Sequence, residues 1–323
     1  MDWFFLAIFS YLLLAIVNLG DKFVVDKILK DSRVYAFMVG VLSAVIFIIA
    51  LWFLYWPGLF LFLVNMIAGA LFIFALWTMY EALRAGEASR VVVVIGSVIP
   101  VFTIILSLIF FKQNFTASQW LGIIFLLAGM VIMSLVVSRK RKWSIFIKRT
   151  LSVFSGGYSK KWIFFSILSA FIYSVFFIVT KYAYNHQEFL SSFIWIRLGG
   201  LLVALIFLID KDSRKLILKN FKKSSLLKRV NIIKKKEPSK LFIIFNQGLG
   251  SIAFLLQNYA VYLGPVAIIN ALQGVQYAFL LILGIFLTIF FPKLLKEDIS
   301  KKTLIKKVAA IILVGLGLYF IAR

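Results

Sequence analysis

Residues 91–111 read VVVVIGSVIPVFTIILSLIFF: twenty-one residues without a charge, relieved only by Gly96, Pro100 and three hydroxyls. A helix that crosses a bilayer needs ~20 mostly apolar residues. A barrel strand would alternate apolar with polar side chains, and this run does not. The stretch therefore reads as a membrane-spanning helix, and the rest of the chain repeats the signal. Apolar blocks of similar length recur at 3–29, 34–54, 59–83, 88–111, 117–138, 162–184, 188–210, 241–263, 265–291 and 302–322. Turn chemistry separates them. Tyr55-Trp56-Pro57-Gly58 makes a tight break, and Gly264-Pro265 stops one helix and starts the next, with proline at an early position where its missing N–H costs nothing. Met1-Asp2 lacks the basic region of a cleavable signal, so the first block is expected to stay as a helix.

The composition of the 323-residue chain agrees: 63% hydrophobic and 15% charged, against ~45–50% and ~25% in soluble domains. With no cysteine there is no thiolate nucleophile, disulfide or zinc–thiolate site, and one histidine leaves no two-histidine metal site. Neither a phosphate-binding GK[ST] loop nor a helical His-Glu-x-x-His is present. No cofactor and no covalent chemistry are expected.

The net charge is +24. Of 36 Lys and Arg, 32 fall in or beside the loops after the first, third, fifth, seventh and ninth blocks. That is the pattern of cytoplasmic loops near anionic headgroups rather than of a nucleic-acid surface. Ten spans put both termini outside, in a prokaryotic plasma (inner) membrane. Two basic loops, 139–161 and 211–240, carry apolar residues at helical spacing (Trp143 to Phe154, and Leu216 to Ile233) and are expected to form short helices in the headgroup layer or to stay solvated.

Residues 82–111 align without gaps on 260–289, with Gly96 facing Gly274, and 120–134 align on 308–322, with Gly122 facing Ala310 and Gly129 facing Gly317. Each half then holds five spans: 1–138 and 162–323, joined by the basic linker 139–161. An odd number inverts the second half relative to the first. The expected fold is an all-α integral membrane protein of ten transmembrane helices in two inverted five-helix repeats, an arrangement typical of secondary transporters with a midplane site.

Several motifs also resemble the EamA-type repeat of the drug/metabolite transporter superfamily. They are Tyr80-Glu81-Ala82-Leu83-Arg84-Ala85, Ser97-Val98-Ile99-Pro100, the run Phe111 to Gly122, and Leu127-Ala128-Gly129, with Phe291 to Ile321 as a second copy. The resemblance implies ten helices, a central cavity, and export or exchange of small metabolites such as amino acids. The chain departs from the pattern at Gln113, where an acid is usual, and at the insertion that includes Pro292 before Glu297. Family members usually have both termini in the cytoplasm, the reverse of the orientation read from the charges.

Arg197 is the clear mid-span charge, with its nearest charged sequence neighbours, Glu188 and Asp210, at the ends of its span. A guanidinium at that depth suits a carboxylate or phosphate, or else snorkels. Asn270, Gln273, Gln276 and Tyr277, at spacings of three and four, share one face of the ninth span, and two amides beside a cation could orient an amino acid or sugar. Ser97, Thr103 and Ser107 form a stripe with Pro100, which frees the carbonyl of Gly96 and can kink or gate the fourth span. Trp77, Tyr80 and Tyr173 could wall a cavity. Asp21 and Glu81 are candidate coupling carboxylates or plain surface pairs. Small-molecule substrate, lipid headgroups and a coupling proton or ion are the expected partners. The alternatives are a nucleotide-sugar or lipid-headgroup carrier, or a membrane enzyme on lipid-linked substrates.

Overall fold

The computed structural model describes residues 2–25, 37, 39–41, 43–85, 88–137, 161–206, 208–210, 214, 240–290 and 301–323. Among them every element is helical. The helices are α1 (Asp2–Val25), α2 (Ala50–Phe53), α3 (Leu59–Ala85), α4 (Ala88–Phe111), α5 (Ala117–Val137), α6 (Lys161–His186), α7 (Phe189–Ile206), α8 (Lys240–Leu263), α9 (Val266–Ala271), α10 (Gln273–Phe290) and α11 (Lys301–Ala322). Backbone groups in lipid find no water, so they must bond within their own segment, and helices are the natural result. Seven helical stretches among the described residues are long and apolar enough to cross a membrane: Asp2–Gly20, Leu59–Ala85, Val94–Phe111, Lys161–His186, Phe189–Ile206, Val266–Phe290 and Leu304–Ala322. Val39–Phe53 and Ala117–Ile132 are shorter apolar helices. The 24-residue α8 is more polar, carrying Asn246, Gln257 and Asn258.

Two spans differ from the expected uniform helices. The second, expected over 34–54, runs as a 3-10 helix over Ser43–Ile49 before the single turn of α2. It leads directly into α2, and short 3-10 runs of this kind are frequent at helix ends. The ninth, expected over 265–291, is broken at Leu272 into α9 and α10. Ile269 would pass its carbonyl to residue 273 in an unbroken helix. Here Tyr11 Oη on α1 donates to Ile269 O at 2.8 Å, and Gln257 Nε2 donates to Tyr11 Oη at 3.2 Å. A buried tyrosine thus satisfies the oxygen that the break releases. The headgroup-layer helices expected in 139–161 and 211–240 lie outside the described residues, as do Pro292 and Glu297.

Helices pack where small residues let backbones meet, because lipid offers no hydrophobic incentive for one apolar helix to prefer another. α6 lies against α3 and α4. Its Ser169 donates to Ala75 O of α3 at 2.9 Å, and its Ser174 donates to Ile99 O of α4 at 3.0 Å. α1 lies against α8 and α10 in the same way, and Asn246 of α8 fills the notch at Gly20. α5 and α11 pack on each other as an antiparallel pair. A Cβ on Gly122 would sit 2.9 Å from Gly317 O, and one on Gly129 would sit 3.3 Å from Ala310 O.

Candidate substrate site

α7 approaches α3 through glycines. A Cβ on Gly199 would lie 2.6 Å from Met66 O, so only hydrogen fits there, and a Cβ on Gly69 of α3 would collide with Ile196 O and Gly200 N of α7. This contact sets Arg197 beside Phe72 of α3. The half-buried guanidinium is held over three phenyl faces, with its carbon 5.0 Å from the Phe72 centroid, 4.7 Å from that of Phe193 and 4.3 Å from that of Phe254. Phe193 precedes Arg197 by one turn of α7, and Phe254 comes from α8, so helices α3, α7 and α8 meet at the charge. Each such contact is worth ~0.5–2 kcal/mol, which helps offset the cost of a charge inside lipid.

Among the described residues Arg197 has no acidic partner. Beside it lies a small cavity of about 10 Å³, lined by Phe72, Phe176, Phe193, Arg197, Phe254 and Asn258 among others. That space admits about one water molecule, so no metabolite fits before the helices move. Asn258 accepts from Tyr184 Oη at 3.2 Å and donates to Phe254 O at 2.9 Å. A cation stacked on rings keeps its N–H edge available, and that edge can grip a carboxylate with two parallel bonds.

Of the residues singled out from the sequence, Arg197 alone lines this cavity. Tyr173 packs on Phe72, with ring centroids 6.3 Å apart, one layer behind the charge. Trp77 packs against Phe74, and Tyr80 is half-buried further along α3. The polar stripe of α4 turns inward but back onto its own helix. Ser97 donates to Val94 O at 3.2 Å, Thr103 to Ile99 O at 2.8 Å and Ser107 to Ile104 O at 3.0 Å. Asn270 Nδ2 donates to Thr103 Oγ1 at 3.3 Å, joining α9 to α4. The single amide face expected for the ninth span is interrupted at Leu272, which separates Asn270 from Gln273, Gln276 and Tyr277. Gln276 is buried, Gln273 and Tyr277 half-buried. Pro100 lies inside α4 as expected. Glu81 pairs with Arg84 at 2.9 Å on the surface, and Asp21 stands in the last turn of α1, its side chain outside the described residues.

The sequence reasoning missed Phe72, Phe254, Asn258, Tyr184 and Lys181. The four-residue spacings Phe193–Arg197 and Phe254–Asn258 were visible in the sequence. Which helix faces met was not.

Residues 2–135 match the model of the EamA-like transporter family. A solved crystal structure is similar over 98% of this chain and 94% of its own, with 15% identity and a TM-score of 0.59, which establishes a shared fold. No curated protein matches the sequence.

Proposed function

Since the chain carries an EamA-like transporter unit at residues 2–135, we propose that it is a secondary transporter for small polar metabolites bearing an anionic group, amino acids among them. The observation that carries this reading is Arg197: a mid-helix guanidinium stacked on Phe72, Phe193 and Phe254, beside a cavity and, among the described residues, without an acidic partner. The rings hold the cation while leaving its hydrogen-bonding edge for a carboxylate or phosphate.

Helix packing supports the ten-span, two-repeat reading. Counting α9 and α10 as one span, exchange of the two halves turns the α3–α6 contact into α8–α1 and the α4–α6 contact into α10–α1. The α5–α11 and α4–α9 contacts map onto themselves. Gly122 against Gly317 becomes Ala310 against Gly129, the other close approach of that pair. Such a two-fold relation supports alternating access by rocking one set of helices against the other.

The test is counterflow in proteoliposomes with a panel of amino acids, other organic acids, nucleotide sugars and lipid headgroups. Anionic metabolites should exchange with the unsubstituted protein. Arg197→Lys should weaken binding, because an ammonium lacks the planar fork. Arg197→Gln should weaken it by roughly 10–150-fold, the value of a buried charge-assisted bond. Unchanged affinity in Arg197→Gln would remove the anion from the reading. Exchange of nucleotide sugars or headgroups alone would move it to those carriers, and turnover of a lipid-linked substrate without transport would make the protein an enzyme.

A further inference from the structure

Lys181 is a second cation inside the helix bundle, 8% exposed, near the C-terminal end of α6. Its Nζ donates to Val261 O and to Tyr262 O, both at 2.9 Å. The sequence explains why these oxygens are available. In a continuous helix Val261 O would accept from residue 265, but Pro265 has no N–H. Tyr262 O would accept from Val266, which opens α9 instead. Gly264 N reaches Ala260 O at 2.9 Å, so the ladder of α8 ends there and leaves Val261 O and Tyr262 O without a helical donor. The two freed oxygens form the negative end of the α8 dipole, and an ammonium meets both.

The contact joins helices that otherwise belong to different groups. α6 packs on α3 and α4, whereas α8 packs chiefly on α1. Around the lysine other contacts bridge the same divide. Tyr184 Oη donates to Asn258 Oδ1, and Phe189 packs on Tyr259 and Tyr262 with centroids 5.0 and 5.7 Å apart. Tyr262 holds Lys181 on its carbonyl and Tyr184 and Phe189 on its ring. One turn earlier on α8, Asn258 lines the Arg197 cavity. This layer lies over that cavity at the end of the bundle that bears residues 185–188 and 264–265.

We propose that Lys181 is the latch of a gate that closes this end of the Arg197 cavity, by tying α6 to the last carbonyls of α8. The proposal rests on the transport reading of that cavity. A lysine among apolar groups is costly, and bonds to neutral carbonyls offset only part of the cost. An unbranched apolar side chain would serve packing alone at least as well. What the ammonium adds is a bond that is made or broken as a unit, which a gate requires.

The absence of native cysteine permits a direct test. Ile196 is buried and lines the cavity. In the full-length protein carrying Ile196→Cys, reconstituted in vesicles, labelling by a membrane-impermeant maleimide is timed from each face without substrate. Lys181→Met should accelerate labelling from the 185–188 face by roughly tenfold or more, as loss of charge-assisted bonds implies. Lys181→Arg, which keeps donors, should stay near the parent rate. Pro265→Ala offers Val261 O a competing backbone donor and should also accelerate labelling, so the proposal does not depend on one variant folding. Unchanged labelling in folded Lys181→Met or folded Pro265→Ala overturns the latch, as does equal acceleration from both faces. Faster labelling in Lys181→Met while Arg197→Gln still exchanges metabolites at full affinity keeps the gate and rejects the Arg197 site. Unchanged labelling with exchange abolished in Arg197→Gln does the reverse.

Discussion

The Tyr277 hydroxyl of α10 occupies the space that a side chain on Gly96 of α4 would fill. Gly96 is also the residue whose carbonyl loses its helical donor to Pro100. The close approach of ring to backbone and the carbonyl freed by proline therefore coincide on one turn of α4. Gly96→Ala should lower stability by about 1–3 kcal/mol through overpacking. Tyr277→Phe removes the nearest atom, so the double variant should be more stable than the sum of the single effects, a coupling that unfolding in detergent would register. Simple additivity would mean that the ring swings away freely.

The α5–α11 seam gives a sharper contrast. Gly122 faces the Gly317 carbonyl, which cannot retreat like a side chain, whereas Gly315 on the same helix as Gly317 has open space around it. Gly122→Ala should destabilise by about 1–3 kcal/mol. Gly315→Ala should be neutral, or stabilising by up to about 1 kcal/mol through helix propensity. Thermal unfolding of the two variants should move in different directions. Equal effects would mean the seam is looser than its geometry.

Pro100→Ala restores a donor for the Gly96 carbonyl and should straighten α4. Insertion and folding should be near normal while counterflow slows. Unchanged kinetics would confine Pro100 to packing.

Phe254 offers the nearest ring to Arg197, at 4.3 Å. Phe254→Leu keeps an apolar side chain but removes the π face, so stability should fall by about 0.5–2 kcal/mol beyond any packing loss. In an Arg197→Gln background the same change should cost less, since the cation is already absent. Identical costs in both backgrounds would show that the ring serves packing alone.

The 32 basic residues clustered in alternate loops predict both termini outside. A reporter active only in the cytoplasm should work when fused at Ser155 and stay silent at Arg323. The opposite pattern would reverse the orientation without touching the fold.

Helicity and most helix limits were legible in the sequence. The α4 limits were expected at 88–111 and are Ala88–Phe111, because apolar length and turn residues are local properties. Arg197 was legible for the same reason: a charge in an apolar run stands out wherever the helix packs. The break at Leu272, with Tyr11 capping Ile269 O, was not legible, because Leu272 is an ordinary helix former and Tyr11 lies 258 residues from Ile269. Nor was the ring cage. The chain has 35 phenylalanines, and hydropathy cannot say which of them will face a given cation. Lys181 looked like a residue near a helix end until Val261 and Tyr262 were placed against it. In lipid every apolar face is equally content, so sequence alone decides which segments become helices. The glycine clearances, serine bonds and lone carbonyls that appear only when helices meet decide which of them touch, and therefore where the site lies.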